Sequence, residues 1–409
     1  MFADLPAELT YVALLFGLFV VPRMLQRFRI PAAVTSLALG AAAGPGLGLF
    51  LHDPTVTLLS TLGIVSLFLF AGLDVEVEDL KRERRVIAEH LAVRAVALGV
   101  VAVAAGYALA VEGRVAVLVA LALLTPSAGF ILDSLGGLGL SGRASFWIRT
   151  KTIATELVAL AAMFVTLQSA TAKGLAISAV VLAAMVVVLP TIFRAFAHFV
   201  VPHAPKTEFA FLIMVAVVCA FVTRELGVYY LVGAFVVGMV AQRFRSQLPA
   251  MASEKMLTAV EAFASIFVPF YFFHAGLVLN RDDFSVAALP YGAGFLVVAV
   301  PLRLALVSLH RKVRLGEGFR EGLIVAVPML PTLVFTLVIA QILRELFSVP
   351  PAVFGGLIIY ALVTTMIPSF VFRAPAPAFE SPQILPLDPE QARLIASEQT
   401  GGTADSRLT

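Results

Sequence analysis

The chain has 409 residues, of which 60% are hydrophobic and only 13% are charged, and its mean hydropathy is +0.98. An ordinary soluble domain has about 25% charged residues, so this composition excludes a soluble protein and indicates a polytopic membrane protein. A single cysteine, Cys219, excludes a disulfide framework. The net charge of +3 is expected of basic cytoplasmic loops, so it gives no reason to expect a nucleic-acid partner.

The chain begins with MFADLPAELT, which contains Asp4 and Glu8 but no basic residue. A secretory signal peptide needs a positively charged start and a small-residue cleavage site. Neither is present, so we expect the first apolar run to be retained as a membrane span.

A spanning helix needs about 20 mostly apolar residues. We predict thirteen spans, at approximately 8–22, 31–50, 55–73, 86–110, 115–135, 146–168, 174–196, 207–223, 226–242, 256–279, 284–309, 319–343 and 350–371. With the N-terminus outside, most loop Lys and Arg residues fall on the inner side. The positive-inside rule therefore predicts an outer N-terminus and a cytoplasmic C-terminus.

Residues 374–409 are rich in Pro, Ser, Thr and acidic side chains. This segment has too few apolar residues to form a core of its own. We therefore expect one transmembrane domain over residues 1–373, embedded in the lipid bilayer, and a disordered cytoplasmic tail over residues 374–409.

Two short patterns occur twice along the chain. The sequence FLFAGL, which contains Gly72, resembles FFHAGL, which contains Gly276, and Thr125-Pro126-Ser127 resembles Leu330-Pro331-Thr332. Because Pro and Gly are frequent in membrane helices, a chance match is the alternative. The two offsets are nearly equal, however, and each pair is seven spans apart, so the two copies would be inverted. Inverted repeats with paired interrupted helices are the sequence sign of a secondary transporter.

The prolines of this repeat predict helices that are interrupted within the membrane. A proline removes a backbone donor and leaves a carbonyl without its partner. Such groups must find protein partners or line a water-filled cavity. The neighbouring oxygens of Thr125, Ser127 and Thr332 could face a dehydrated cation, so we expect Pro126 and Pro331 to mark two helices that cross at an ion site.

Glu156 is the most informative ionisable residue, because no other charge lies between Lys151 and Lys173. If its span begins at Phe146, Glu156 lies about 15 Å into the membrane. A carboxylate at that depth must be paired, solvated or protonated. A carboxyl that is either protonated or bound to a cation is the minimal chemistry of cation/proton exchange; the alternative is a permanently protonated structural glutamate.

Two arginines also lie within predicted spans. Arg303 could pair with a carboxylate and compensate its charge, or its side chain could extend to the inner surface. Arg94 has the same two possibilities. No arrangement of residues supports an enzyme, and GLGLSG at Gly137–Gly142 follows a membrane helix rather than a strand, so we expect no nucleotide, organic cofactor or resident metal.

Five segments resemble the monovalent cation/proton antiporters of the second cation/proton antiporter superfamily, in that family's order. They are Ile30–Gly48, Leu62–Asp74, Leu124–Ser127, Leu231–Gly238 and Phe270–Leu277. The superfamily includes bacterial sodium/proton exchangers and glutathione-gated potassium/proton exchangers.

The resemblance implies an all-α sodium/proton antiporter-like fold and an ion site. It places the family's ion-binding acidic pair on Thr155-Glu156, its interrupted helices on Pro126 and Pro331, and its basic residue on Arg303. It also implies a homodimer in the bacterial inner membrane, in which a core bundle moves against a dimerising scaffold.

Two departures from the family pattern affect the predicted function. Glu156 replaces an aspartate, and Leu330-Pro331-Thr332 replaces the common Arg-Gly-Glu. We predict exchange of Na⁺ or K⁺ for H⁺, with Glu156 as the shared carboxylate and Thr155, Thr125 and Ser127 as further ligands. A cation channel or uniporter, and a transport-inactive sensor subunit, are the alternatives on the same scaffold.

Overall fold

A computed structural model describes residues 7–75, 81–169, 171–204, 207–227, 230–243 and 254–373. Within these residues the chain forms helices joined by short turns, and no strand is present. The predicted tail, residues 374–409, lies outside the described residues.

Fifteen α-helices make up the described part of the chain. They are α1 (Ala7–Gln26), α2 (Ala32–Ala41), α3 (Pro54–Leu73), α4 (Arg84–Leu109), α5 (Gly113–Leu124), α6 (Ala128–Leu135), α7 (Gly142–Gln168), α8 (Ala172–Phe199), α9 (Glu208–Glu225), α10 (Tyr230–Arg243), α11 (Glu254–Leu277), α12 (Ala288–Leu315), α13 (Phe319–Ala326), α14 (Leu333–Phe347) and α15 (Pro351–Val371).

Each of the thirteen predicted segments contains helix among its described residues. Among the described residues, nine helical segments are long and apolar enough to cross a membrane, and the bent pair formed by Phe319–Met329 and Leu333–Phe347 makes a tenth. The segments Ala32–Gly46 and Tyr230–Arg243 are apolar but shorter. The all-helical fold is therefore confirmed, whereas the count of thirteen spans stays a prediction.

Local sequence signals fix the starts of several helices. Asp53 precedes α3 and accepts hydrogen bonds from the backbone amides of Thr55 and Val56, while Pro54 occupies the first helical position. Ser141 caps α7 by accepting from the amide of Ala144. Side-chain acceptors satisfy the amides that have no partner in the first turn of a helix.

The helices divide into two bundles. We call α1–α3 with α8–α11 the panel, and α4–α7 with α12–α15 the core bundle. Helices α2, α3, α10 and α11 pack closely within the panel, and α4 with α5, α12 with α15, and α5 with α14 pack within the core bundle. Contacts such as those of α3 with α6 join the two.

Glycines allow the backbones of the panel helices to come into contact. Two such contacts are related to each other by the inverted repeat. A Cβ atom added at Gly72 would lie 3.0 Å from the Cα of Gly238, and one added at Gly276 would lie 2.9 Å from the Cα of Gly40. Gly72 and Gly276 are the repeat-related glycines predicted from the sequence. Each contacts a glycine of the opposite repeat, as expected for two inverted copies.

Ion pairs mark the two ends of the molecule. At the end that the sequence predicts to be cytoplasmic, here called the inner face, Arg143 lies 3.4 Å from Glu317 and Arg314 pairs with Glu89. At the opposite end, the outer face, Arg344 pairs with Asp283 at 2.9 Å.

Candidate functional site

The two interrupted helices cross in the middle of the core bundle. The break between α5 and α6 spans Thr125–Ser127, and the break between α13 and α14 follows the short turn Val327–Met329, where the helix axis bends by 52°. The Ser127 amide donates to the Pro331 carbonyl at 2.9 Å, and the Ser127 hydroxyl accepts from the Phe335 amide at 3.2 Å. The structure thus brings Pro126, Ser127 and Pro331 together, as the repeat predicts.

Glu156 lies beside this crossing, near the middle of α7, and is only 2% exposed. The Ala128 amide donates to its Oε2 atom at 2.6 Å. Ala128 is the first residue of α6, and the N-terminus of a helix carries partial positive charge. The carboxyl group therefore lies against the positive end of a half-helix, and within the described chain this is its only hydrogen bond.

The C-terminal end of α5 carries the opposite partial charge and is met by donors. Arg94, which is 5% exposed, donates to the Leu124 carbonyl at 3.2 Å. The Tyr360 hydroxyl donates to the Leu123 carbonyl at 2.5 Å. A positive side chain and a hydroxyl group thus donate hydrogen bonds to carbonyls that backbone amides would satisfy in a continuous helix.

Arg303 likewise donates hydrogen bonds to backbone carbonyls at the C-terminal end of the other half-helix. Its guanidinium, which is 2% exposed, donates to the Leu330 carbonyl at 2.8 Å, to the Met329 carbonyl at 2.5 Å and to the Tyr360 hydroxyl at 3.0 Å. Neither Arg303 nor Arg94 extends to a surface. The expected carboxylate partner is not found for Arg303 in the described part of the chain, where backbone carbonyls take its place.

The remaining predicted residues lie on different sides of the crossing. Thr125 is buried within the first break. The Thr332 hydroxyl lies 3.3 Å from that of Thr364 in α15. The Thr155 hydroxyl donates to the Lys151 carbonyl at 2.7 Å and lies 3.3 Å from Nε2 of His90, so it is directed toward the inner face.

Sequence reasoning missed a second polar cluster, formed by His90, Lys151 and His310. It treated Lys151 as the charge that bounds an apolar run, but the lysine is 0% exposed and lies five residues from Glu156 on the same helix. His90 and Arg94 are four residues apart and therefore lie on one face of α4. This spacing was the sequence signal that could have indicated a buried polar cluster.

A cavity of about 360 Å³ lies at the outer face between the panel and the core bundle. It is lined from the panel by Thr57, Ser60, Thr61, Arg224 and His274, and from the core bundle by Gln341 and Glu345.

Two interrupted helices that come from inverted repeats and cross in the membrane are the architecture of a secondary transporter. Residues 12–376 match the family described as sodium/hydrogen exchanger, transmembrane. The chain therefore belongs to the sodium/hydrogen exchanger family, a family of membrane transporters.

Individual relatives agree with this membership. The chain is 24% identical over 370 residues to the "Probable Na(+)/H(+) antiporter 3" of Methanocaldococcus jannaschii, covering 87% of this chain and 93% of that protein. The structure of the sodium proton antiporter MjNhaP1 from the same organism at pH 8 superposes with a TM-score of 0.65, at 14% identity, covering 89% of this chain and 95% of that one. A second structure of MjNhaP1, determined by electron microscopy, gives a TM-score of 0.62 at 15% identity. These structures share the fold.

Proposed function

We propose that this protein exchanges a monovalent cation, Na⁺ in the first instance, for H⁺ across the membrane, and that Glu156 binds both ions in turn. The observation that carries the proposal is a single buried carboxyl at the crossing of two interrupted helices. Family membership and the names of the relatives support exchange as the activity.

The crossing offers a cation one carboxylate and nearby oxygens. We assign Glu156, Thr125 and Ser127 as its ligands, since Ser127 precedes the amide that holds Glu156. The Thr155 hydroxyl is engaged with Lys151 and His90, so we assign it to holding α7 in place rather than to the cation.

Exchange follows because the two ions compete for one carboxylate. A proton neutralises Glu156, and a cation can enter only after that proton has left. Arg94 and Arg303 hold their positive charges on backbone carbonyls, so these charges stay fixed while Glu156 changes its ligand. One cation would then be exchanged for one proton.

Access to the site would alternate as the core bundle moves against the panel. The cavity at the outer face lies between the two bundles that would move. A homodimer, a location in the bacterial inner membrane, and an inner face that is cytoplasmic complete the proposal as the resemblance and the positive-inside rule predict them.

Proteoliposomes loaded with a pH-sensitive dye and challenged separately with Na⁺, K⁺ and Li⁺ test the activity and rank the cations. Glu156→Gln should abolish cation-driven proton movement while the protein still folds, because it keeps the shape and removes the exchangeable charge. Glu156→Asp should keep part of the activity. Glu112→Gln, at an exposed position, is the matched control and should behave like the unmodified protein.

Retained exchange in a folded Glu156→Gln protein would overturn the assignment. Cation flux without proton movement would instead identify a channel or uniporter, and the absence of any flux would identify a transport-inactive protein. The competition adds a quantitative criterion: apparent cation affinity should weaken about tenfold for each pH unit below the pH at which Glu156 titrates. An affinity that does not change from about pH 5 to pH 9 would contradict it.

A further inference from the structure

Three nitrogen bases lie side by side in the inner half of the core bundle, each on a different helix. The Lys151 Nζ atom of α7 is 3.5 Å from Nδ1 of His90 in α4 and 3.0 Å from Nδ1 of His310 in α12. All three residues are buried. The exchange cycle proposed for Glu156 does not use them.

The surrounding hydrogen bonds define which atom is the donor and which is the acceptor in each contact of this cluster. The Thr155 hydroxyl donates to the Lys151 carbonyl, so it must accept from His90, which therefore carries its proton on Nε2. The Nδ1 atom of His90 is then an acceptor for Lys151. His310 likewise accepts on Nδ1, so its own proton lies on Nε2, which is 3.9 Å from the Glu89 carboxylate.

This pattern accommodates lysine in both of its protonation states. A neutral amine has two hydrogens, one for each imidazole, and an ammonium has a third. The Trp147 ring, whose centroid is 5.7 Å from Nζ, lies where a third hydrogen could interact with the π face. Gaining or losing a proton therefore breaks neither hydrogen bond to histidine.

Charged side chains on three neighbouring elements act on Lys151. Arg94 of α4 and Arg311 of α12 oppose a positive charge on the lysine, and Glu317, in the turn between α12 and α13, favours it. Glu317 is engaged in ion pairs with Arg311 and Arg143. Within the described chain no carboxylate lies within 4.0 Å of Lys151, although a permanently charged buried lysine would require such a partner.

We propose that Lys151, held between His90 and His310, is a second proton-binding site, distinct from Glu156. Its proton exchanges with the aqueous phase at the inner face by way of His310 and the half-exposed Glu89, which pairs with Arg314. The site itself stands on this geometry, and only its effect on transport rests on the proposed function.

The second site should act on the first through charge. Lys151 and Glu156 are five residues apart on α7, or about 7.5 Å along the helix axis. A proton on Lys151 therefore opposes a cation at Glu156. At this separation inside a protein, we expect the apparent cation affinity to change by about tenfold.

Histidine signals test the site without any need for transport. The full-length protein, labelled with ¹⁵N-histidine and placed in lipid nanodiscs, should show a titration step on the Nδ1 signals of His90 and His310 between about pH 5 and pH 9. The variants His90→Gln and His310→Gln assign the signals. Lys151→Met should remove the step, and Lys173→Met, at an exposed lysine, should leave it in place. A step that persists in Lys151→Met, or its absence from the unmodified protein, would overturn the proposal.

Calorimetry of Na⁺ binding in buffers of different ionisation enthalpy then counts the protons released. Near the titration step the unmodified protein should release more than one proton for each Na⁺, and Lys151→Met at most one. Lys151→Arg, with a fixed charge, should bind Na⁺ about tenfold more weakly than Lys151→Met. Equal affinities and equal proton counts in all three folded proteins would contradict the coupling. If Na⁺ does not bind at all, the proposed function fails, while the histidine titration still decides whether the second proton site exists.

Discussion

Replacing Arg303 tests whether the fixed arginines stabilise the helix crossing. Arg303→Met keeps most of the side-chain volume and removes all the donors, which leaves the Met329 and Leu330 carbonyls without their partner. Arg94→Met removes one such bond, to Leu124. The two variants therefore differ in the number of buried carbonyls that lose a donor.

The magnitude follows from that number. A buried polar group that loses its partner costs about 1–3 kcal/mol. Arg303→Met should therefore destabilise the protein by about 2–6 kcal/mol and Arg94→Met by about half as much. Removing a guanidinium also removes the cost of burying it, so we expect values in the lower half of these ranges.

Thermal unfolding in detergent, followed by loss of the monodisperse species, measures the difference. In a domain of 150–250 residues, 1 kcal/mol lowers the unfolding midpoint by about 2–4 °C, and in a larger domain such as this one the shift is smaller. We expect Arg303→Met to lower it by several degrees, Arg94→Met by less, and the exposed control Arg320→Met not at all. A midpoint of Arg303→Met equal to that of the control would refute a stabilising role for these hydrogen bonds.

Two further predictions use the same assay. Gly276→Ala would place a Cβ atom 2.1 Å from the Leu37 carbonyl oxygen and 2.9 Å from the Cα of Gly40, so it should cost about 3 kcal/mol or more. Gly294→Ala, in open space within α12, should be neutral or stabilising. Burial raises the pKa of Asp53, but hydrogen bonds from Tyr11 and two backbone amides outweigh it and leave that pKa below its usual value. The resulting stabilisation is present above about pH 4, the unfolded value, and is lost as the pH falls through the lower folded value. Asp53→Ala should therefore lower the midpoint at pH 7 and approach the unmodified protein at acid pH.

The features that could be predicted from the sequence depend on local patterns. Long apolar runs define the helices, and Pro126 and Pro331, each beside Ser or Thr and related by the repeat, mark the two interruptions. Glu156 stands out because it is the one acidic residue in a long apolar stretch. The equal spacing of the two patterns was enough to predict the inverted repeat, and the glycine contacts of Gly72 and Gly276 agree with it.

The partners of the buried bases could not be predicted, because they depend on how distant helices are rotated. Lys151 meets residues 61 and 159 positions away in the chain, and no periodicity within α7 indicates which face they approach. For Arg303 the sequence left open whether it pairs or extends to the surface. The outcome depended on where the interrupted helix ends, 26 and 27 residues further on.

The inverted repeat also explains why the ion site of the proposed exchange has one carboxylate rather than two. Arg94 and Arg303 occupy comparable places in the two copies, and each satisfies the negative end of one half-helix. Glu156 breaks this symmetry: the offset of 205 residues that relates Pro126 to Pro331 leads from Glu156 to Ala361, beside Tyr360. The N-terminus of α14 meets the Ser127 hydroxyl where that of α6 meets a carboxylate. The fixed charges of Arg94 and Arg303 are thus present in both copies of the inverted repeat. Glu156, the group at the crossing that can change its charge, occurs in one copy only.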